Sequence, residues 1–169
     1  MIKQEKSNII LGIDPGFGRI GWGVIIQQNG DWQVVNFGCI ETDMKDNFVD
    51  RLAELYQEIV KLIKKYKPSR MAVEDLFFFK NLKTAIKVGQ ARGVILLAGV
   101  ENKLAIDEFT PLQVKQAITG YGRAEKQQMQ KMVQMILQLK NPIKSDDAAD
   151  ALAIALCAGQ SLWKNNLGT

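Results

Sequence analysis

Three stretches put a carboxylate where a carboxylate is awkward. Asp14 ends the apolar run 8–14 (NIILGID), directly before Pro15-Gly16. Glu74 follows Met71-Ala72-Val73 at the end of another short apolar run. Glu is depleted in strands, and the carboxyl end of a strand is where open α/β sheets bind ligands. Asp147 and Asp150 stand three apart in DDAADALAIA, so a helix puts them on one face. Their neighbours are Ala, Leu and Ile, and burying an unpaired charge costs several kcal/mol, at about the level where a group would rather neutralise. Each acid alone has a plainer reading: Asp14 as a turn initiator, Glu74 as an exposed strand end, the aspartates as first-turn acids complementing a helix dipole. Asp146 or Ser145 can serve as the N-cap of that helix, and with Asp147 and Asp150 taken as the pair the expected cap is Asp146.

The rest of the inventory narrows the chemistry. The chain has no histidine, and its two cysteines, Cys39 and Cys157, form no CxxC. Histidine-based triads, His- or Cys-ligated zinc and a disulfide framework are excluded. Acid–base or metal chemistry must run mainly on carboxylates. Together the four acids make a possible oxygen-only site for a hard divalent ion such as Mg²⁺. Two such ions about 4 Å apart are a known device for in-line phosphoryl displacement.

Elements must position these acids. Residues 8–14, 20–27 and 32–40 read as strands, with Asn29-Gly30 as a hairpin turn. Phe48, Leu52, Leu55, Ile59, Ile63 and Tyr66 mark an amphipathic helix ending at Lys67-Pro68. Residues 70–74 form a fourth strand, 80–99 a helix and 104–109 a fifth strand. Thr110, Pro111 and Gln113 are a helix-start signature. Residues 124–139 and 146–160 are two more helices. The order βββαβαβααα predicts an α/β fold: a mixed five-stranded sheet, its first three strands antiparallel, flanked by helices. With 169 residues and no linker, repeat or low-complexity tract, residues 1–169 read as a single domain.

Charge points to a polyanion. Residues 59–100 carry nine basic and two acidic side chains, and 109–145 carry six and one, whereas 1–58 is net negative. Such clustering suggests nucleic acid, although Lys61, Lys64, Lys65 and Lys67 can equally be the solvated end of a helix. Lys80, Lys83 and Lys87 fall on one helical stripe that can track a phosphate backbone. Gly120-Tyr121-Gly122-Arg123 is either a phosphate-approaching loop or a plain connection. The N-terminus lacks the layout of a secretory signal, and the longest apolar runs are too short to span a bilayer. The expectation is a cytoplasmic protein with no membrane partner.

The stretches ILGIDPGFGRIGWGVI (10–25), MAVEDLFFFKN (71–81), KVGQARGVILLA (87–98), QVKQAITGYGRAEKQQMQKMV (113–133) and DAADALAIA (147–155) resemble the RuvC family of Holliday-junction endonucleases. The resemblance runs from about residue 8 to 160 and implies a ribonuclease H-like fold. It implies that Asp14, Glu74, Asp147 and Asp150 are metal-binding catalytic acids, and that Lys115 and Lys126 are active-site lysines. Phe77 would be an aromatic that stacks on junction DNA. It further implies Mg²⁺, two ions per site with Mn²⁺ able to substitute, and four-way junction DNA cut by paired symmetric nicks in recombination and repair. The ends left would be 5′-phosphate and 3′-hydroxyl. A homodimer is implied as well, with a branch-migration complex of the RuvA-RuvB type as a further candidate partner. Ala85, Gly89 and Gly93 form a small-residue row suited to close approach of a second helix, in the same chain or a second copy. Two rivals remain: an actin-like ATPase, whose phosphate loop also follows a Gly-Ile-Asp-x-Gly turn but needs two such domains, and a junction-binding module without cleavage.

Overall fold

The computed structural model describes residues 8–16, 18–75 and 81–166, the last four by backbone alone. Strands β1 (Ile9–Asp14), β2 (Arg19–Gln28) and β3 (Asp31–Glu41) form an antiparallel meander. Asn29 and Gly30 join β2 to β3 with φ of 53° and 91°. Positive φ at both turn residues matches the twist of the flanking strands, which is why Asn-Gly stands there. Then come α1 (Phe48–Tyr66), β4 (Arg70–Glu74), α2 (Leu82–Glu101), β5 (Ala105–Phe109), α3 (Pro111–Thr119), α4 (Lys126–Ile136) and α5 (Asp146–Asn166). The element order is the one the sequence predicts. The sheet runs β3-β2-β1-β4-β5, with β4 parallel to both its neighbours.

Strand alternation divides the core in two. Leu11, Ile13, Met71 and Val73 point to the face covered by α1 and α2. Ile10 and Ala72 point to the opposite face, with α3, α4 and α5. Because side chains alternate along a strand, Asp14 and Glu74 fall on the α5 face. The parity of two apolar strands thus aims both strand-end acids at the helix that carries the aspartate pair.

Several boundaries shift for local reasons. Helix α2 begins at Leu82, not 80, because the Asn81 side chain accepts hydrogen bonds from the Lys83 and Thr84 amides and caps it. Helix α4 is shorter than 124–139. Its start is set by a capping box between Glu125 and Gln128, and past its end Gln138 turns to a φ of 50°. Ser145, not Asp146, caps α5: its hydroxyl accepts from the Ala148 amide at 3.4 Å and its carbonyl from Ala149. Asp146 is thereby free of the capping role expected of it and pairs elsewhere.

Candidate active site

Strand β1 and strand β4 are parallel neighbours with Ile13 opposite Val73, so Asp14 and Glu74 end side by side. Helix α5 lies across this corner because two strand glycines leave room for its backbone. A Cβ at Gly12 would stand 2.1 Å from the Ala151 carbonyl oxygen, and one at Gly21 would stand 2.0 Å from that of Asp147. Gly21 is also the cross-strand partner of Asp14. The glycines let the first turn of α5 settle against the strand end, bringing Asp147 and Asp150 to Asp14 and Glu74. Sequence reasoning missed this floor, although glycine inside a strand signals close backbone approach.

The four acids interact. Burial, then the negative charges of Glu74, Asp150 and Asp147, push the Asp14 carboxyl up to about 8, against the opposing pull of Lys126. Burial and the Asp150 charge push Glu74 to about 7, with Lys115 pulling it down. Burial raises Asp150 too, opposed by Lys126. A carboxylate crowded this way is relieved by a cation.

Two side chains supply part of that positive charge. Lys126, the first residue of α4, is 3.1 Å from Asp146 and 3.4 Å from Asp150. A cation at a helix N-terminus opposes the dipole, and these acids offset it. Hydrogen bonds from Gln130 and Lys126 hold Asp146 below the usual carboxylate range. Arg19, which the sequence did not single out, donates from Nε to Asp147 at 2.8 Å. Among the described residues no three Asp, Glu or Cys side chains gather into a ready ligand cluster. Arg19 and Lys126 hold the aspartate pair instead. The donors still fit a hard divalent ion: all four are carboxylate oxygens, and burial and crowding penalise the negative charge of Asp14, Glu74 and Asp150.

A cavity of about 210 Å³ opens beside the acids, lined by Glu74, Lys115, Lys126 and Asp150 over an apolar floor that includes Val114 and Met129. Both sequence-predicted lysines therefore reach the site. The other predicted DNA contacts divide. Lys83 and Arg123 are exposed. Lys87 does not simply extend a stripe: it is half-buried, with its ammonium 5.5 Å from the centre of the Phe48 ring. Phe77 and Lys80 lie outside the described residues. Gly120 caps α3 with a φ of 80°, and the Tyr121 hydroxyl donates to Gln128 at 2.8 Å, so the 120–123 stretch is a tied helix–helix connection.

The family model described as Crossover junction endodeoxyribonuclease RuvC matches residues 10–158, nearly the whole chain. The chain belongs to this family. It is 54% identical over 157 residues to the crossover junction endodeoxyribonuclease RuvC of Halothermothrix orenii, covering 93% of this chain and 95% of that protein. The corresponding protein of Petrotoga mobilis is 50% identical over 89% of this chain and 93% of its own. Among solved structures, Thermus thermophilus RuvC in complex with a Holliday junction substrate superposes with a TM-score of 0.87 at 31% identity, covering 93% of this chain and 96% of that one. The fold is ribonuclease H-like, as RuvC membership implies. The same match leaves no room for the actin-like reading, since family and fold agree over one and the same stretch.

Proposed function

We propose that this protein resolves four-way DNA junctions by paired, symmetric nicks, as a divalent-metal-dependent endonuclease whose metal is held by Asp14, Glu74, Asp147 and Asp150. Membership in the crossover junction endodeoxyribonuclease family carries the nuclease activity. The observation that carries the residue assignment is the convergence of the β1 and β4 strand ends, Ile13 opposite Val73, under the first turns of α5 that pack on Gly12 and Gly21. Mg²⁺, two ions per site with Mn²⁺ as substitute, suits an all-oxygen set; bound there, it supplies Lewis-acid activation of water and stabilisation of the departing oxygen.

The chain's own groups do the rest. Lys126 and Lys115 border the cavity and are placed to offset charge that builds on the phosphate in the transition state. The buried floor beneath them limits water, which strengthens those interactions. Water attacks phosphorus and the 3′ oxygen leaves, giving 5′-phosphate and 3′-hydroxyl ends. Lys83 and Arg123, with Phe77, Lys80 and Lys87, are the proposed DNA contacts.

A homodimer would supply two identical sites for a substrate with approximate two-fold symmetry. One face of α2 supports this. Leu82, Ile86, Leu97 and Val100 are all exposed, and their spacing brings them within about 60° of arc. On the same face, a Cβ at Gly93 would meet nothing within 4 Å among the described residues. A branch-migration complex of the RuvA-RuvB type is the proposed further partner, in the cytoplasm. No helix among the described residues is long and apolar enough to cross a membrane.

A synthetic immobile four-way junction, set beside linear duplex of the same sequence, tests the reading. Paired nicks in the junction with Mg²⁺, none with EDTA and little cutting of the duplex are expected. Cutting undiminished by EDTA, or equal on both substrates, contradicts it.

A further inference from the structure

Among the described residues, Arg19 is the one cation in contact with the four acids that the catalytic reading does not use. It opens β2, and its Nε donates to Asp147 Oδ2 at 2.8 Å while lying 3.5 Å from Glu41 Oε1 on β3. Its Nη2 donates to the Ser145 hydroxyl at 3.3 Å and stands 3.7 Å from Cys39 Sγ. Cys39 Sγ and Ser145 Oγ are themselves 3.0 Å apart. The guanidinium is thus gripped by β3 and by the cap of α5 while it holds a carboxylate in the first turn of that helix. Although half of its side chain is exposed, it is tied to two separate elements, β3 and the start of α5.

We infer that Arg19 is a positioning residue for metal binding: it fixes the Asp147 carboxylate so that the acid meets a divalent ion already oriented. This rests on the four-acid reading above. Asp147 is only half-buried, with 36% of its side chain exposed, so little packing restrains its rotamer. A planar fork with several donors can bind Asp147 and Ser145 together, which an ammonium on a flexible stem cannot reproduce. Partners that orient a metal ligand are typically worth about 10–100-fold in metal affinity. The opposing effect is plain repulsion between the guanidinium and the incoming cation. Orientation and repulsion predict opposite signs when the side chain is removed.

The experiment titrates Mn²⁺ alone into the DNA-free protein and reads free Mn²⁺ by electron paramagnetic resonance. Circular dichroism checks the fold of each variant. Arg19→Ala is expected to weaken Mn²⁺ binding by about tenfold. Arg19→Lys, which keeps the charge, should stay within about threefold of Arg19→Ala, because the fork is lost. In an Asp147→Asn background, Arg19→Ala should weaken binding no further, since the two act through one carboxylate. Unchanged or tighter binding by Arg19→Ala, full rescue by lysine, or an undiminished effect in the Asp147→Asn background would each overturn the inference. Failure of the four-acid reading looks different: the wild-type protein would not bind Mn²⁺, or Asp14→Asn and Asp147→Asn would bind it as well as wild type.

Discussion

Gly21 lies directly beneath Asp147: a Cβ on this glycine would stand 2.0 Å from the aspartate's carbonyl oxygen. The atom in the way is helix backbone, so the first turn of α5 would have to lift as a unit. Gly21→Ala is therefore expected to destabilise the fold by about 2–3 kcal/mol, in the range of overpacked cores. It should also lower cleavage by displacing Asp147 and Asp150 from Asp14. Urea melts and a single-turnover junction assay check the pair of effects. A variant with wild-type stability and rate would mean that α5 does not sit this close.

The acids make the metal-free protein pH-sensitive in a defined direction. Asp14, at about 8, and Glu74, at about 7, are both raised above their ordinary values. A raised carboxyl binds its proton more tightly in the folded state, so this contribution is fully present below the unfolded value, about 4, and is lost as pH rises toward 8. Lys126 and Lys115 oppose the shifts without cancelling them. In EDTA, Asp14→Asn should raise the Tm at about pH 8.5 and have a much smaller effect at about pH 5. Thermal melts at the two pH values measure the difference, and an equal effect at both contradicts the shift.

The same variant separates binding from cutting. Asp14→Asn should abolish cleavage while leaving junction binding largely intact, because the proposed DNA contacts are cations that hold phosphates away from Asp14. Gel-shift and cleavage assays on one junction read the two properties side by side. Cutting at the wild-type rate would remove Asp14 from the site.

Lys126 faces Asp150 and Asp146 and borders the cavity. Lys126→Ala should slow the single-turnover rate by about a hundredfold, the scale of losing one charge-stabilising donor. Junction affinity should fall far less. Equal losses in rate and affinity would make it a binding residue.

The exposed face of α2 gives a prediction about assembly. Leu97→Glu puts a charge on the exposed face it shares with Leu82, Ile86, Gly93 and Val100, where burial of a lone carboxylate is costly. Light scattering after size-exclusion chromatography should find a monomer, and nicks on the two strands should become uncoupled. A persisting dimer would point to a different interface.

Much of this was legible from residue order alone. The period of the apolar residues gave α1 its boundaries at Phe48 and Tyr66, and Lys67-Pro68 gave its end, because a left-handed cap followed by proline stops a helix locally. The Thr110–Gln113 capping box was readable for the same reason: it is satisfied within four residues. The four acids stood out because each contradicts its apolar surroundings. The chain order could not say that Ser145 rather than Asp146 caps α5, since adjacent residues compete for one cap and the winner depends on where Lys126 and Gln130 draw the aspartate. Nor could it reveal Arg19, whose partners Asp147, Ser145, Cys39 and Glu41 lie 20 to 128 positions away. Local hydrogen bonds and periodicity are written in neighbouring residues. Which distant charges meet, and how closely α5 lies on Gly12 and Gly21, is decided only when the sheet pairs and the helix packs, because charge coupling and backbone clearance depend on distances in space.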